Sequence, residues 1–290
     1  MDLETGTIRA NDVDFAYLAA GPADGPLALC LHGFPDTAHT WRHLLPALAA
    51  EGYRAVAPFM RGYAPTAVPA DERYHSGVLA LDANRLHSAL GGGADAVLIG
   101  HDWGATAVYP AVASDPDRWR KMVAMAVPPP PAMATFLNYD QIKRSFYMWF
   151  FQLPLAEMVV PMNDMAFISG LWRDWSPGYD GAADVAHVRE SLAKPENLAA
   201  AIGYYRATFG GAPVDDEVAA VQAAPSWPPA KPLLYLHGRQ DGCIGVEMVE
   251  NALPILGDSL DVTLVEGAGH FLQLERPDEV NRLITEFLAR

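Results

Sequence analysis

Asp102 stands between two glycines in Gly100-His101-Asp102-Trp103-Gly104, behind an apolar run and ahead of a helical pattern. In a strand-turn-helix context, a G-x-nucleophile-x-G turn lifts its central side chain above a sheet, and glycine is wanted on both sides, where a Cβ would collide. A serine there would point to acyl transfer. A carboxylate, with a reference pKa of about 3.9, is already ionised at neutral pH and can attack a saturated carbon without a base to activate it. Taken alone, GxDxG also fits an acidic residue in an ordinary turn. Two later residues complete the order nucleophile, acid, base. Asp241, in HGRQDG, lies 139 positions on (241 − 102), and His270, in EGAGH, a further 29 (270 − 241), each just after an apolar run. A sheet that gathers these strand ends lets His270 work as a general base oriented by Asp241.

The elements needed to position them are legible in the hydrophobic pattern. Strands are predicted over 27–31, 53–58, 96–99 and 121–127. Helices are predicted over 40–50, ended by Gly52, over 76–90, capped by Ser76, and from the elbow to about Ser114. The alternation implies an α/β protein with a mostly parallel sheet. A proline run over 128–131 then opens an aromatic-rich stretch without an obvious strand, and a second proline-rich segment over 225–232 closes it. Strand, turn, helix and strand resume over 232–270, and a last helix starts at Pro277. The expected organisation is a first core part, 1–130, an inserted helical cap, 131–226, and a second core part, 227–290.

Composition narrows the partners. Of 290 residues 51% are hydrophobic and 19% charged, enough apolar material for one large core and too little charge for a disordered chain. A net charge of −15 (20 basic, 35 acidic) without a basic run argues against nucleic acid and anionic membrane surfaces. Cys30 and Cys243 match no metal-ligand spacing and are expected as two buried thiols in a reducing compartment. The acidic N-terminus does not read as a signal peptide, and the apolar stretch 147–162 is interrupted by Gln152, Pro154, Glu157 and Pro161, so a cytoplasmic location is expected.

With these motifs in view, the sequence resembles the epoxide hydrolase family of the α/β-hydrolase superfamily over nearly its whole length. GHDWG is similar to that family's nucleophile motif, His32-Gly33-Phe34-Pro35 to its HGxP oxyanion motif, and Arg61-Gly62-Tyr63 to its RGY. The resemblance implies an α/β-hydrolase fold with a helical cap, an oxyanion hole made by the backbone N–H groups of Phe34 and Trp103, and a structural His32. It also implies two ring-opening tyrosines in the cap. Tyr147 is one, since 147–154 resembles the segment ending in YFQxP, with Phe150 where tyrosine is usual. Tyr205 is the other, preferred to Tyr204 because it directly precedes Arg206. The implied activity converts an apolar or aromatic epoxide and water to a diol through an ester on Asp102, with Trp103, Phe34, Trp149 and Phe151 lining the substrate site. No metal or organic cofactor is required, and a monomer or homodimer is expected.

A haloalkane or haloacetate dehalogenase uses the same aspartate, acid and histidine, and stays open through Trp149 and Trp172 as halide donors. A catalytically silent binding module is the reading from another class. His39 and His43 have the spacing of HxxxH, but Thr40 stands where a catalytic glutamate would be, so they are expected to pack or face solvent. The segment 171–175 (Leu-Trp-Arg-Asp-Trp) is expected to pack in the cap, and His101 to line or support the elbow.

Overall fold

A computed structural model describes residues 3–133, 138–257 and 260–290. Among the described residues, eight strands form one sheet: β1 (Glu4–Ala10), β2 (Val13–Ala20), β3 (Leu27–Leu31), β4 (Arg54–Pro58), β5 (Val97–His101), β6 (Lys121–Met125), β7 (Leu233–Gly238) and β8 (Asp261–Val265). Their spatial order is β1-β2-β4-β3-β5-β6-β7-β8. The pairs β1 with β2 and β2 with β4 are antiparallel, and the rest of the sheet is parallel. Every residue of β3, β5, β6 and β7 is buried, as expected of strands covered by helices on both faces.

The helices are α1 (Leu44–Ala50), α2 (Ser76–Ala89), α3 (Trp103–Ser114), α4 (Pro130–Met133), α5 (Tyr139–Arg144), α6 (Phe146–Phe150) and α7 (Leu155–Val159). They continue as α8 (Met162–Trp175), α9 (Ala182–Ser191), α10 (Pro195–Phe209), α11 (Asp216–Gln222), α12 (Val246–Leu256), α13 (Leu272–Glu275) and α14 (Pro277–Ala289). The predicted helix over 40–50 is split into a 3-10 turn, Ala38–Trp41, and α1. Pro46 accounts for the break: it has no N–H to donate and its ring crowds the Arg42 carbonyl four residues back, so it sits in the first turn of α1 and the helix starts anew just before it.

The β1–β2 hairpin has no counterpart in the sequence reading. It turns on Asn11 and Asp12, both left-handed (φ 45° and 61°), the conformation a two-residue hairpin loop needs and one that asparagine and aspartate tolerate.

In the 131–226 stretch, the end helices rest on the sheet layers: α11 packs on α2 and α3, and α4 on α12. Helices α6, α8 and α10 reach over the carboxyl ends of the strands. The RGY loop pins α10 there. Tyr204 Oη donates to the Arg61 carbonyl at 2.8 Å and Asn197 Nδ2 to that of Gly62 at 2.7 Å. Arg61, 1% exposed, is itself held by a bidentate pair with Asp82 at 2.5 and 2.6 Å, so the loop that receives α10 is stiffened from below.

Candidate active site

Asp102 follows β5 directly and caps α3 with φ 54° and ψ −117°, a strained conformation for a residue with a side chain. The turn is packed so closely that an added Cβ at Gly100 would come within 2.3 Å of the Gly104 carbonyl oxygen, and one at Gly104 within 2.1 Å of that of Leu31. Glycine on both sides of the elbow is thus a steric requirement. The loop after β3 delivers the Phe34 N–H, which donates to Asp102 Oδ1 at 2.7 Å. Trp103 opens α3, so its N–H is among the first-turn amides that find no acceptor within the helix.

The ends of β7 and β8 bring the other two groups to this elbow. Asp241 Oδ1 accepts from the N–H groups of Cys243 and Ile244 at 2.7 and 2.9 Å, which leaves Oδ2 to meet His270 Nδ1 at 2.9 Å. The opposite nitrogen, Nε2, lies 3.6 Å from Asp102 Oδ2. All three side chains are buried. Burial by itself would lower the pKa of His270, but the Asp241 and Asp102 carboxylates lift it to about 10. Burial likewise works to raise both carboxyls, and the contact with His270 overrides it and keeps them below the usual range. At neutral pH the resting site is an imidazolium between two carboxylates.

A stability consequence follows with a definite sign. Because the folded-state pKa of His270 exceeds its unfolded value of about 6.5, its contribution is complete below about pH 6.5 and is lost as pH rises through about 10. Thermal unfolding followed from pH 6 to 10 should therefore show Tm falling more steeply for the wild type than for His270→Gln. Parallel curves would refute this.

Two neighbouring histidines are neutral supports. His101 Nε2 donates to the His270 carbonyl at 2.8 Å, and burial pushes its pKa down to about 3. His32 Nδ1 donates to the Gly33 carbonyl and Nε2 accepts from the Met60 N–H, both at 2.9 Å, with burial pushing its pKa down to about 4. Both imidazoles thus brace backbone, His101 at His270 and His32 between the loop that carries Phe34 and the one that follows β4.

Above Asp102 sits a cage of aromatic rings. Tyr205 meets Phe34, Trp103, Phe151 and Tyr147 edge to face, with centroids 5.2, 5.1, 5.1 and 5.5 Å away. Each of these rings is at most 6% exposed. Burial raises both tyrosine pKa values well above the ordinary range, and the Asp102 charge adds to it. Tyr204, one position earlier on α10, is turned about 100° away and spends its hydroxyl on Arg61, which leaves Tyr205 facing the elbow.

Trp149 is not in the cage. Tyr147 and Phe151 are four residues apart and share one face of the α6 turn, whereas Trp149, two from each, points to the other side. It is 43% exposed and packs against Phe209. Trp172 is also occupied, its Nε1 donating to the Pro35 carbonyl at 2.8 Å while its ring stacks on Phe271. The segment 171–175 packs as expected: Leu171, Trp172 and Trp175 are buried, and Arg173 and Asp174 are exposed. His39 stacks on His187, ring centroids 3.9 Å apart, and His43 is exposed.

Trp175 and Cys243 were not foreseen as site residues. The Trp175 ring lies edge-on to His270, centroids 5.0 Å apart, and its carbonyl accepts from both the His270 and Gly242 N–H groups at 3.0 Å. Cys243 Sγ is 3.4 Å from Tyr147 Oη. The unusual run at 171–175 was the available signal for the first, and the closeness of Cys243 to Asp241 in sequence for the second.

A mostly parallel sheet with an aspartate on its strand-to-helix elbow, a histidine and its acid at later strand ends, and helices laid over them defines an α/β-fold hydrolase. The family model for the alpha/beta hydrolase fold matches residues 26–277. Epoxide hydrolase 4 of Mus musculus is 30% identical over 97% of this chain and 78% of its own length. Epoxide hydrolase A of Mycobacterium tuberculosis is 30% identical over 97% of this chain and 96% of its own. The crystal structure of a Bacillus megaterium epoxide hydrolase with an inhibitor superposes with a TM-score of 0.81 at 28% identity, covering 98% of this chain and 100% of that one. The chain belongs to the epoxide hydrolase family of the α/β-hydrolase superfamily.

Proposed function

We propose that this protein hydrolyses apolar or aromatic epoxides to vicinal diols through an ester on Asp102. The observation that carries the reading is a buried carboxylate with a histidine nitrogen 3.6 Å away and two buried tyrosines, Tyr147 and Tyr205, in the ring cage above it. Asp102 Oδ1 is held by the Phe34 N–H, so Oδ2 is the oxygen placed to attack. Attack forms the Oδ2–carbon bond and breaks the epoxide C–O bond, and a tyrosine hydroxyl gives its proton to the oxygen that leaves carbon. The imidazolium then restores the tyrosine's proton and becomes neutral. Esterification helps this transfer, because the Asp102 charge that held His270 protonated is gone. Neutral His270, oriented by Asp241, takes a proton from water as that water attacks the ester carbonyl. Oδ1 becomes the oxyanion, stabilised by the N–H groups of Phe34 and Trp103. Collapse breaks the Cγ–Oδ2 bond, Oδ2 leaves with the diol and takes the remaining proton of the attacking water, and Asp102 returns as carboxylate with His270 as imidazolium, so the proton count closes over one turnover.

The dehalogenase alternative needs donors for a departing halide. Trp149 faces away and the Trp172 N–H is already bonded to Pro35, which removes the two lid residues that kept it open. Incubating the protein with aryl and alkyl epoxides beside matched bromoalkanes and fluoroacetate, with Asp102→Ala as blank, separates the readings. Diol that disappears in the blank supports the proposal; halide release without diol would transfer the assignment to a dehalogenase.

A further inference from the structure

The two cage tyrosines are not equivalent. Tyr205 Oη is buried beside the Trp103 indole N–H, a group that can only donate to it, so a substrate oxygen would be the first acceptor for its proton. Tyr147 Oη already has one, the sulfur of Cys243 at 3.4 Å. That thiol is fully buried, on the loop that carries the triad acid, and its own backbone N–H donates to Asp241 Oδ1. One residue therefore contacts the triad acid through its backbone and a roofing tyrosine through its side chain.

We propose that Cys243 is a positioning residue for ring opening, which holds the Tyr147 hydroxyl over the elbow and donates its S–H to the phenolate oxygen left when that hydroxyl gives up its proton. This rests on the epoxide hydrolase reading above. In the step concerned, the Asp102 Oδ2–carbon bond forms, the epoxide C–O bond breaks and the Tyr147 O–H proton passes to the freed oxygen. The S–H proton stays on sulfur throughout. Burial is consistent with a donor role, since it pushes the thiol pKa well above its ordinary value and keeps the sulfur protonated. A bare phenolate in this cage is costly, because the surrounding rings of Phe151, Trp175 and Tyr205 offer it no charge. A thiol is a weak donor, but a weak bond to a developing charge gains strength as the charge appears.

Side-chain substitution isolates this role, because the Cys243 N–H that serves Asp241 survives it. The experiment is rapid-quench, single-turnover measurement of ester formation and ester hydrolysis with styrene oxide. Cys243→Ala should slow ester formation about five- to tenfold, the range expected for losing one such hydrogen bond, and leave ester hydrolysis unchanged. Cys243→Ser, which restores a donor, should return ester formation to within about twofold of wild type. In a Tyr147→Phe background Cys243→Ala should have no further effect. An unchanged ester-formation rate, slowing that persists in the Tyr147→Phe background, or slowing confined to ester hydrolysis would each overturn the proposal. Its failure is distinct from failure of the function itself: a wild type that makes diol with an indifferent Cys243 rejects only this inference, whereas a wild type that makes no diol from any epoxide rejects both.

Discussion

Replacing His270 with glutamine is expected to leave an enzyme that completes one half of a turnover and stops. Asp102 keeps its Phe34 N–H bond and the tyrosines above it, so ring opening still has its nucleophile and its acids. Hydrolysis loses the imidazole that lies 3.6 Å from Asp102. Steady-state diol formation should fall by about a thousandfold, inside the range for removing a general base. Intact-protein mass spectrometry after mixing with excess styrene oxide should show the mass rising by one epoxide, with the label on the peptide containing Asp102. Undiminished diol release, or a label on any other residue, would break the assignment of base and nucleophile together.

The other large effect is expected at the roof. With both Tyr147→Phe and Tyr205→Phe, ester formation should fall by about a thousandfold or more while circular dichroism is unchanged, because the opening oxygen then leaves as an alkoxide. The conjugate acid of that alkoxide has a pKa near that of water, about 15.7, against about 10 for an ordinary tyrosine. Burial raises both tyrosines and narrows this gap at rest, so the advantage is realised as charge builds on the substrate oxygen beside them. A second signature accompanies it. The buried Tyr205 O–H has no acceptor, its neighbour the Trp103 indole N–H being donor-only, and removing an unsatisfied donor relieves a desolvation cost of about 1–3 kcal/mol. Tyr205→Phe alone should therefore raise Tm as it lowers activity, while Tyr147→Phe, which gives up the Cys243 contact, should not. Retained ring opening in the double variant would refute the tyrosine roles, whatever happens to Tm.

The chain announced its chemistry more clearly than its edges. Asp102, Asp241 and His270 were legible because each follows an apolar strand and their order is constrained by where those strands end, and the structure places all three within one buried cluster. The central strands were legible for a related reason, since a strand buried on both faces is apolar at every position, as 27–31 is. The β1–β2 hairpin escaped because its residues are mixed in exposure and its Asn11-Asp12 turn lacks the glycine that usually marks such a loop. Trp149 was misassigned through abundance. In a segment that is aromatic at almost every position, composition does not say which face of a short helix turns inward. For Cys243 the spacing to Asp241 hints at nearness to the site but not at its meeting with Tyr147, 96 positions away, which exists only once α6 lies over the end of β7.

The Trp175 carbonyl bears on how such an enzyme can be recombined. It belongs to the last turn of α8, yet it is the shared acceptor for two backbone donors, those of Gly242 and His270, in the loops that carry Asp241 and His270. A lid transplanted from a relative must bring a carbonyl to the same spot, or those two N–H groups are stranded at about 1–3 kcal/mol each. A crossover after position 176 moves that acceptor with the incoming lid, and one before 171 keeps it with the recipient's loops. A lid exchanged whole therefore carries with it the acceptor that holds the His270 backbone in place.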